Sequence, residues 1–233
     1  MQFYFIRHGQ SSNNLLYQEN NSDHGRSDDP ELTEVGRTQA FLVAEHLRTQ
    51  LLNPIINPDV HEITIYSSLM VRAVETSMII SKELKSSVVA HPDLHECGGI
   101  YLDDPVKKIP IGQPGKDRHF FEHYYPSLSL PDTVNAEGWW NREYESVDER
   151  KIRAQRVINQ IWDQSKSGEK CILFVSHMAF YNFLMSNLFG YSLDERWMRL
   201  NNAGITRIDF MDDRCELIFA NRTSYLLDSL VTL

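Results

Sequence analysis

The segment Phe3-Tyr4-Phe5-Ile6-Arg7-His8-Gly9 places the tightest constraint on the fold. Four large apolar residues in succession predict a buried strand. Open α/β folds hold their ligands where such strands end. Arg7 and His8 would therefore stand at a sheet edge. Gly9 would let the backbone turn sharply and approach a ligand. The arrangement recurs twice. Glu62 to Tyr66 alternates like a strand and is followed by Ser67-Ser68 and a helix expected over Leu69 to Leu84, with Arg72 in its first turn. Cys171 to Val175 is the most apolar strand; it runs into Ser176-His177 and a helix expected over Met178 to Phe189.

The remaining segments fill out an α/β pattern. Ser11 to Asn21 is polar, with room for a short helix start, and Asn20 to Pro30 is turn-rich. Thr33 reads as an N-cap with Glu34 in the first turn. Val35, Ala40, Leu42, Val43, Leu47 and Leu51 then extend a helix to about Leu52, before Pro54. Ser87 to Ala90 is a short strand candidate, broken by His91-Pro92, and Asp93 to Gly99 follows as a loop. Ser146 to Lys166 reads as an amphipathic helix with Ile152, Val157, Ile158 and Ile161 on one side and Gly168 as its stop. Asn201 to Gly204 is a turn. Ile205 to Phe210 and Cys215 to Phe219 form a hairpin through Met211 to Arg214, and the tail after Asn221 is weakly patterned. Residues 97–145 carry Pro105, Pro110, Pro114, Pro126 and Pro131 among dense aromatic residues. This stretch is expected to be an irregular, ordered cap, with a short helix around Asp117 to Tyr124. The expectation is one domain over 1–233, with its core in 1–96 and 146–233 and the cap inserted at 97–145.

Composition narrows the partners. A chain of 233 residues with net charge −9 has an acidic surface, which disfavours nucleic acid or anionic membrane but leaves room for a small basic pocket. No apolar run is long enough to span a bilayer, and no basic leader precedes an apolar core. Cys97, Cys171 and Cys215 are widely spaced, an odd number without metal-ligand spacing. Reduced thiols in a cytoplasmic protein are the simple reading. The oligomeric state is left open, a homodimer included.

The strand ends present Arg7, His8, Arg72 and His177, and a loop presents Glu96. Two arginines and two imidazoles converging on one spot would repel unless an anion lay between them. The guanidinium fork suits phosphate oxygens. A neutral histidine can attack phosphorus when one ring nitrogen is free and the other donates a hydrogen bond. Glu96 would serve as a general acid if burial or other carboxylates raised its pKa. Taken singly, a histidine at a strand end is commonly structural and an arginine commonly a surface charge. Their convergence is what favours phosphoryl transfer.

Five blocks carry a resemblance. Arg7-His8-Gly9-Gln10-Ser11 with Asn14 resembles the signature of the histidine phosphatase superfamily, phosphoglycerate mutase-like branch. Leu32 to Ala40 (LTEVGRTQA), Ser67 to Ser77 (SSLMVRAVETS), Val175-Ser176-His177 and Asn202 to Thr206 (NAGIT) are similar to its later blocks, in order. The resemblance covers about residues 1–96 and 146–220. It implies a mostly parallel central sheet with helices on both faces. It implies that His8 is the phosphorylated nucleophile. Arg7, Arg72 and His177 would clamp the phosphoryl group, with Asn14 as a further donor. Glu96 would protonate the leaving oxygen and then activate water. No metal or other cofactor is implied. The chain departs from the pattern at Met178, where the family commonly has glycine. Around Glu96 the flanking Cys97-Gly98-Gly99 is undiagnostic, so Asp93, Asp103 or Asp104 remain alternative acids.

The mutase's acid-loop pattern, rich in Arg, Tyr and Gly, is not reproduced. The expected activity is therefore a phosphatase acting on a phosphate monoester of a small metabolite, with phosphoglycerate mutase as the alternative. A non-catalytic phospho-ligand module would be expected to lack the nucleophile or an arginine, and neither is lost. A metal hydrolase would carry HxH or HExxH, and neither occurs. Substrate choice is expected in 97–145. There Tyr101, His119, Phe120, Phe121, His123, Tyr124, Tyr125, Trp139 and Trp140 would either wall a pocket or pack the cap. Lys107, Lys108, Lys116 and Arg118 would either meet a second anionic group or remain solvated.

Overall fold

The apolar runs form the middle of one sheet. The computed structural model describes residues 1–58, 60 and 62–233. The strands are β1 (Gln2–Arg7), β2 (Thr64–Ser67), β3 (Val88–Ala90), β4 (Tyr101–Asp103), β5 (Pro110–Gly112), β6 (Leu128–Ser129), β7 (Cys171–Ser176), β8 (Ile205–Met211) and β9 (Arg214–Arg222). The helices are α1 (Ser12–Asn20), α2 (Glu34–Leu51), α3 (Val71–Leu84), α4 (Arg118–Tyr124), α5 (Val147–Ser167) and α6 (Met178–Phe189). The central sheet has the order β6-β3-β2-β7-β1-β8-β9. It is parallel from β6 to β1, and β8 and β9 close it as an antiparallel hairpin.

Side chains alternate across a strand, so β1 feeds two cores. Tyr4 and Ile6 meet Val43, Leu47, Leu51, Val74 and Ile80 of α2 and α3. Phe3 and Phe5 meet Val157, Ile158, Ile161, Phe180 and Leu184 of α5 and α6 on the other face. The expected mostly parallel sheet with helices on both faces is what forms. Thr33 caps α2 by accepting from Gly36 N, and Gly168 ends α5 in the left-handed conformation. Among the described residues, no helix is long and apolar enough to cross a membrane.

Three local expectations are corrected. Ile152 is 63% exposed, not part of the buried stripe of α5. Lying five residues before Val157 and nine before Ile161, it falls about 140° and about 180° away around the helix. Helix α3 begins at Val71 rather than Leu69. Its N-cap residue, Met70, offers no side-chain bond, and the Val71 N–H donates instead to Asp29 Oδ1 at 3.0 Å. The cap segment is more than short helices. It holds the β4–β5 ribbon, and Leu128–Ser129 adds a parallel edge strand to β3. A two-residue strand carries too little pattern to be read in sequence. Most aromatic residues of this segment pack the core: Phe121 is buried there, and Trp140 is buried with Met70 and Ile100.

Candidate active site

Sheet register assembles the site. Arg7 pairs with Ser176 across β1–β7, and Ser67 with Val175 across β2–β7. The next residues along each strand, His8, His177 and Ser68, therefore emerge side by side at one sheet edge. Helix α3 begins just beyond and brings Arg72. Arg7, His8, Asn14, Arg72 and Glu96 line one cleft of about 710 Å³. His177 does not line it. It is fully buried, its ring centroid 5.0 Å from that of His8.

Gly9 has a different role from the one expected. Its backbone takes no left-handed conformation and it does not line the cleft. A Cβ there would collide with the carbonyl of Gly36, and a Cβ on Gly36 with the carbonyl of Gln10. The two glycines let the β1–α1 connection pass directly against the start of α2.

His8 is held with one nitrogen occupied by its own backbone. Nδ1 lies 2.7 Å from the Gly9 carbonyl, which only accepts, so the proton resides on Nδ1. Nε2 then carries the lone pair, and it accepts from Arg72 Nε at 3.2 Å. Burial, with Arg72 and Arg7 nearby, holds the His8 pKa well below the usual imidazole range. It is a neutral imidazole between two guanidinium groups. Arg7 donates to the Leu200 carbonyl at 2.6 Å and leaves its buried Nε without a partner. Burial pushes the Arg7 pKa down to about 10, with Glu96 opposing that shift and Arg72 adding to it. Arg72 is lowered by burial too, opposed by Asp29 and Glu96.

His177 is depressed by burial, Arg72 and His8. Its Nε2 lies 2.9 Å from Ser68 Oγ, which also accepts from Met70 N at 3.2 Å. The other ring nitrogen, Nδ1, is buried without a partner. Glu96 reaches the N-terminus of α6. Its carboxylate accepts from Cys97 N at 2.8 Å, Phe180 N at 2.9 Å and Ala179 N at 3.1 Å. Of the alternative acids, Asp93 is engaged by Arg156 at 2.6 and 2.8 Å, and neither Asp103 nor Asp104 lines the cleft. Asn14 Oδ1 accepts from Ser11 N, Ser11 Oγ and Asn202 Nδ2, which commits the oxygen and leaves Nδ2 to donate. Met178 turns its sulfur to Arg7 Nη1 at 3.8 Å and lines the cleft.

The outer cleft differs most from expectation. Of the cap aromatics only Tyr101 lines it, and Lys107, Lys108, Lys116 and Arg118 do not. Arg118 is instead committed to the carbonyls of Val134 and Pro131. The basic groups present are Arg26, stacked 4.3 Å over the Tyr101 ring, and the exposed Arg199. Neither belongs to a block with a sequence signature. The unpatterned tail also returns to the site. Thr232 lines the cleft, accepts from Gln39 Nε2 and donates to Asn202 Oδ1. Among the described residues, no group of three or more His, Cys, Asp or Glu side chains is placed to hold a metal ion.

Comparison with known proteins places these features in a family. The chain is 28% identical over 215 residues to a probable phosphoglycerate mutase, GpmB, of Yersinia pestis (strain Pestoides F), covering 91% of this chain and 86% of that protein. Among solved structures, phosphoserine phosphatase from Entamoeba histolytica in complex with 3-phosphoglyceric acid is similar in fold, with a TM-score of 0.60 and 23% identity, covering 97% of this chain and 99% of that one. The α-ribazole phosphatase of Shigella flexneri superposes with a TM-score of 0.61 at 21% identity, covering 95% and 96%. The sequence profile of the histidine phosphatase superfamily (branch 1) matches residues 3–223. With nearly its whole length under that match, this chain belongs to the histidine phosphatase superfamily.

Proposed function

We propose that this protein hydrolyses phosphate monoesters of a small metabolite through a phosphohistidine on His8. The observation that carries the reading is the state of His8: neutral, with its proton held on Nδ1 by the Gly9 carbonyl and its Nε2 lone pair facing Arg72. The substrate phosphoryl group would seat between Arg7 and Arg72. Arg72 would turn its Nε–H from the ring to a phosphoryl oxygen, freeing Nε2 for in-line attack. The P–O bond breaks as the N–P bond forms. The two guanidinium groups stabilise the charge spread over the equatorial oxygens. Asn14 Nδ2 would donate to the same group, and His177 Nδ1 would join it with the Ser68 hydroxyl donating to Nε2 and the ring turned from its buried place beside His8 toward the cleft. Glu96 would give its proton to the departing oxygen, then take one from the water that attacks phosphorus and restores His8.

Arg26 and Arg199 favour a substrate with a second anionic group, since the inner arginines suffice for one phosphate. That feature, together with the relatives' name, also supports the mutase reading, in which the second phosphate of a bisphosphate would occupy the outer cleft. A panel of phosphorylated metabolites separates the two. Net release of inorganic phosphate is expected, and interconversion of phosphoglycerates primed by bisphosphate would favour the mutase. Rapid quench is expected to trap acid-labile, base-stable phosphate on His8. His8→Ala is expected to abolish turnover of an aryl phosphate with the fold intact. Turnover by that variant, or label on a serine, overturns the mechanism. Activity is expected to survive a chelator.

A further inference from the structure

A buried ion pair lies directly behind the loop that carries Glu96. Arg153 of α5 and Glu145, at the end of the cap, are both buried. Their forked contact measures 2.6 Å from Nε to Oε1 and 2.8 Å from Nη2 to Oε2. Burying two charges costs solvation that their attraction does not always return, so such a pair calls for a reason beyond stability.

The pair's remaining bonds supply one. Arg153 Nη1 donates to the carbonyls of Asp93 at 2.7 Å and His95 at 3.0 Å. Glu145 Oε2 accepts from Gly98 N at 3.3 Å, and the Glu145 N–H donates to the Gly98 carbonyl at 3.2 Å. Two more contacts complete the hold. Ser176 Oγ donates to the Leu94 carbonyl at 2.7 Å, and His95 Nδ1 lies 2.8 Å from the Glu96 carbonyl. Each backbone carbonyl from Asp93 to Glu96 thus has a fixed donor. The Arg153 guanidinium also lies 4.1 Å over the ring of Phe180, whose N–H holds the Glu96 carboxylate.

We infer that Arg153 and Glu145 are positioning residues for the proton donor: they hold the Asp93–Gly98 loop so that the Glu96 carboxylate sits over the start of α6, facing the cleft. Because Glu145 ends the cap, the same pair ties the cap to the acid. The inference rests on Glu96 acting as the proton donor, so Glu96→Gln is measured alongside.

The test uses E145M/R153M, which removes both charges together and leaves neither buried alone. R153K, which keeps the charge and loses the fork, carries the test if the double variant does not fold. kcat/KM reports the first chemical step, in which an alkyl leaving group needs a proton and a dinitrophenyl group does not. The expected result is a loss of about 10- to 100-fold on an alkyl phosphate, since small misplacement of a reacting group costs that much. On dinitrophenyl phosphate the change is expected to stay within about 3-fold. Amides of residues 93–98 are expected to exchange hydrogen faster than in the wild type. Equal losses on both substrates, no loss on either, or unchanged exchange in the loop overturns the inference. If Glu96→Gln shows no leaving-group dependence, the proton-donor reading fails, and the positioning role fails with it. If Glu96→Gln shows it and the pair variants do not, only the positioning role fails.

Discussion

Acid should destabilise this protein through its buried histidines. His8, His95 and His177 are buried as neutral imidazoles, each with its pKa held well below 6.5, chiefly by burial. In the unfolded chain they titrate normally, so below the unfolded pKa that state binds more protons than the native one. Stability is therefore fully present above about pH 6.5 and is lost as pH falls from there toward the depressed native values. Between about pH 7.5 and about pH 5.5, each histidine whose native pKa lies below that interval removes roughly 1 kcal/mol, so the three together remove on the order of a few kcal/mol. Asp29 works in the opposite sense. Burial raises it from 3.8 to about 6, so the native state takes up its proton first on acidification. That offsets roughly 1 kcal/mol over the same interval and leaves a net loss on acidification. His91 and His46 are also lowered by burial and deepen the loss, whereas the raised Glu75 opposes it. Urea unfolding at the two pH values measures this directly. His95→Gln is expected to shrink the pH-dependent loss by roughly 1 kcal/mol, and Asp29→Asn to enlarge it by a similar amount. Stability that is flat or rises on acidification, or a loss unchanged in His95→Gln, refutes the argument.

Other perturbations follow from the same geometry. Gly9→Ala forces a methyl group against the Gly36 carbonyl, where only backbone can yield; a loss of about 2 kcal/mol or more in denaturant unfolding is expected. Val157→Ala in the buried stripe of α5 is expected to cost about 2 kcal/mol, whereas Ile152→Lys on its exposed side should stay within about 0.5 kcal/mol by thermal unfolding. Arg26→Gln and Arg199→Gln are expected to raise KM about 10-fold for a substrate bearing a second acid group. Turnover of a plain aryl phosphate should be unaffected in both.

Much of the framework was legible because it rests on local chemistry. The β1 run, the Thr33 cap, the Gly168 stop and the span of α6 depend on neighbours in sequence, and they form as read. Gly9 was misread because the backbone that crowds it, Gly36, comes from a distant segment. Ile152 was misread because periodicity over a few residues does not locate the centre of a buried stripe. The edge strand Leu128–Ser129 had too few residues to show a pattern.

The site divides in the same way. His8, Arg7, Arg72 and His177 could be named as candidates in sequence because strand ends and family blocks mark them, whereas Glu96, on a loop outside those blocks, stood beside Asp93, Asp103 and Asp104. Their relation to one another could not. That His8 keeps its proton on Nδ1 depends on the Gly9 carbonyl, and that the His177 ring comes beside it depends on the β1–β7–β2 register. Arg26, Arg199 and Thr232 reach the cleft from segments with no pattern of their own. The amino-acid sequence by itself determined which strands are buried and which groups stand at their ends, since apolar patterning and capping act over a few residues. The tertiary structure alone decided the protonation of His8, the composition of the outer cleft and the buried pair behind Glu96. Desolvation and charge–charge contact depend on what the folded chain brings together from far apart.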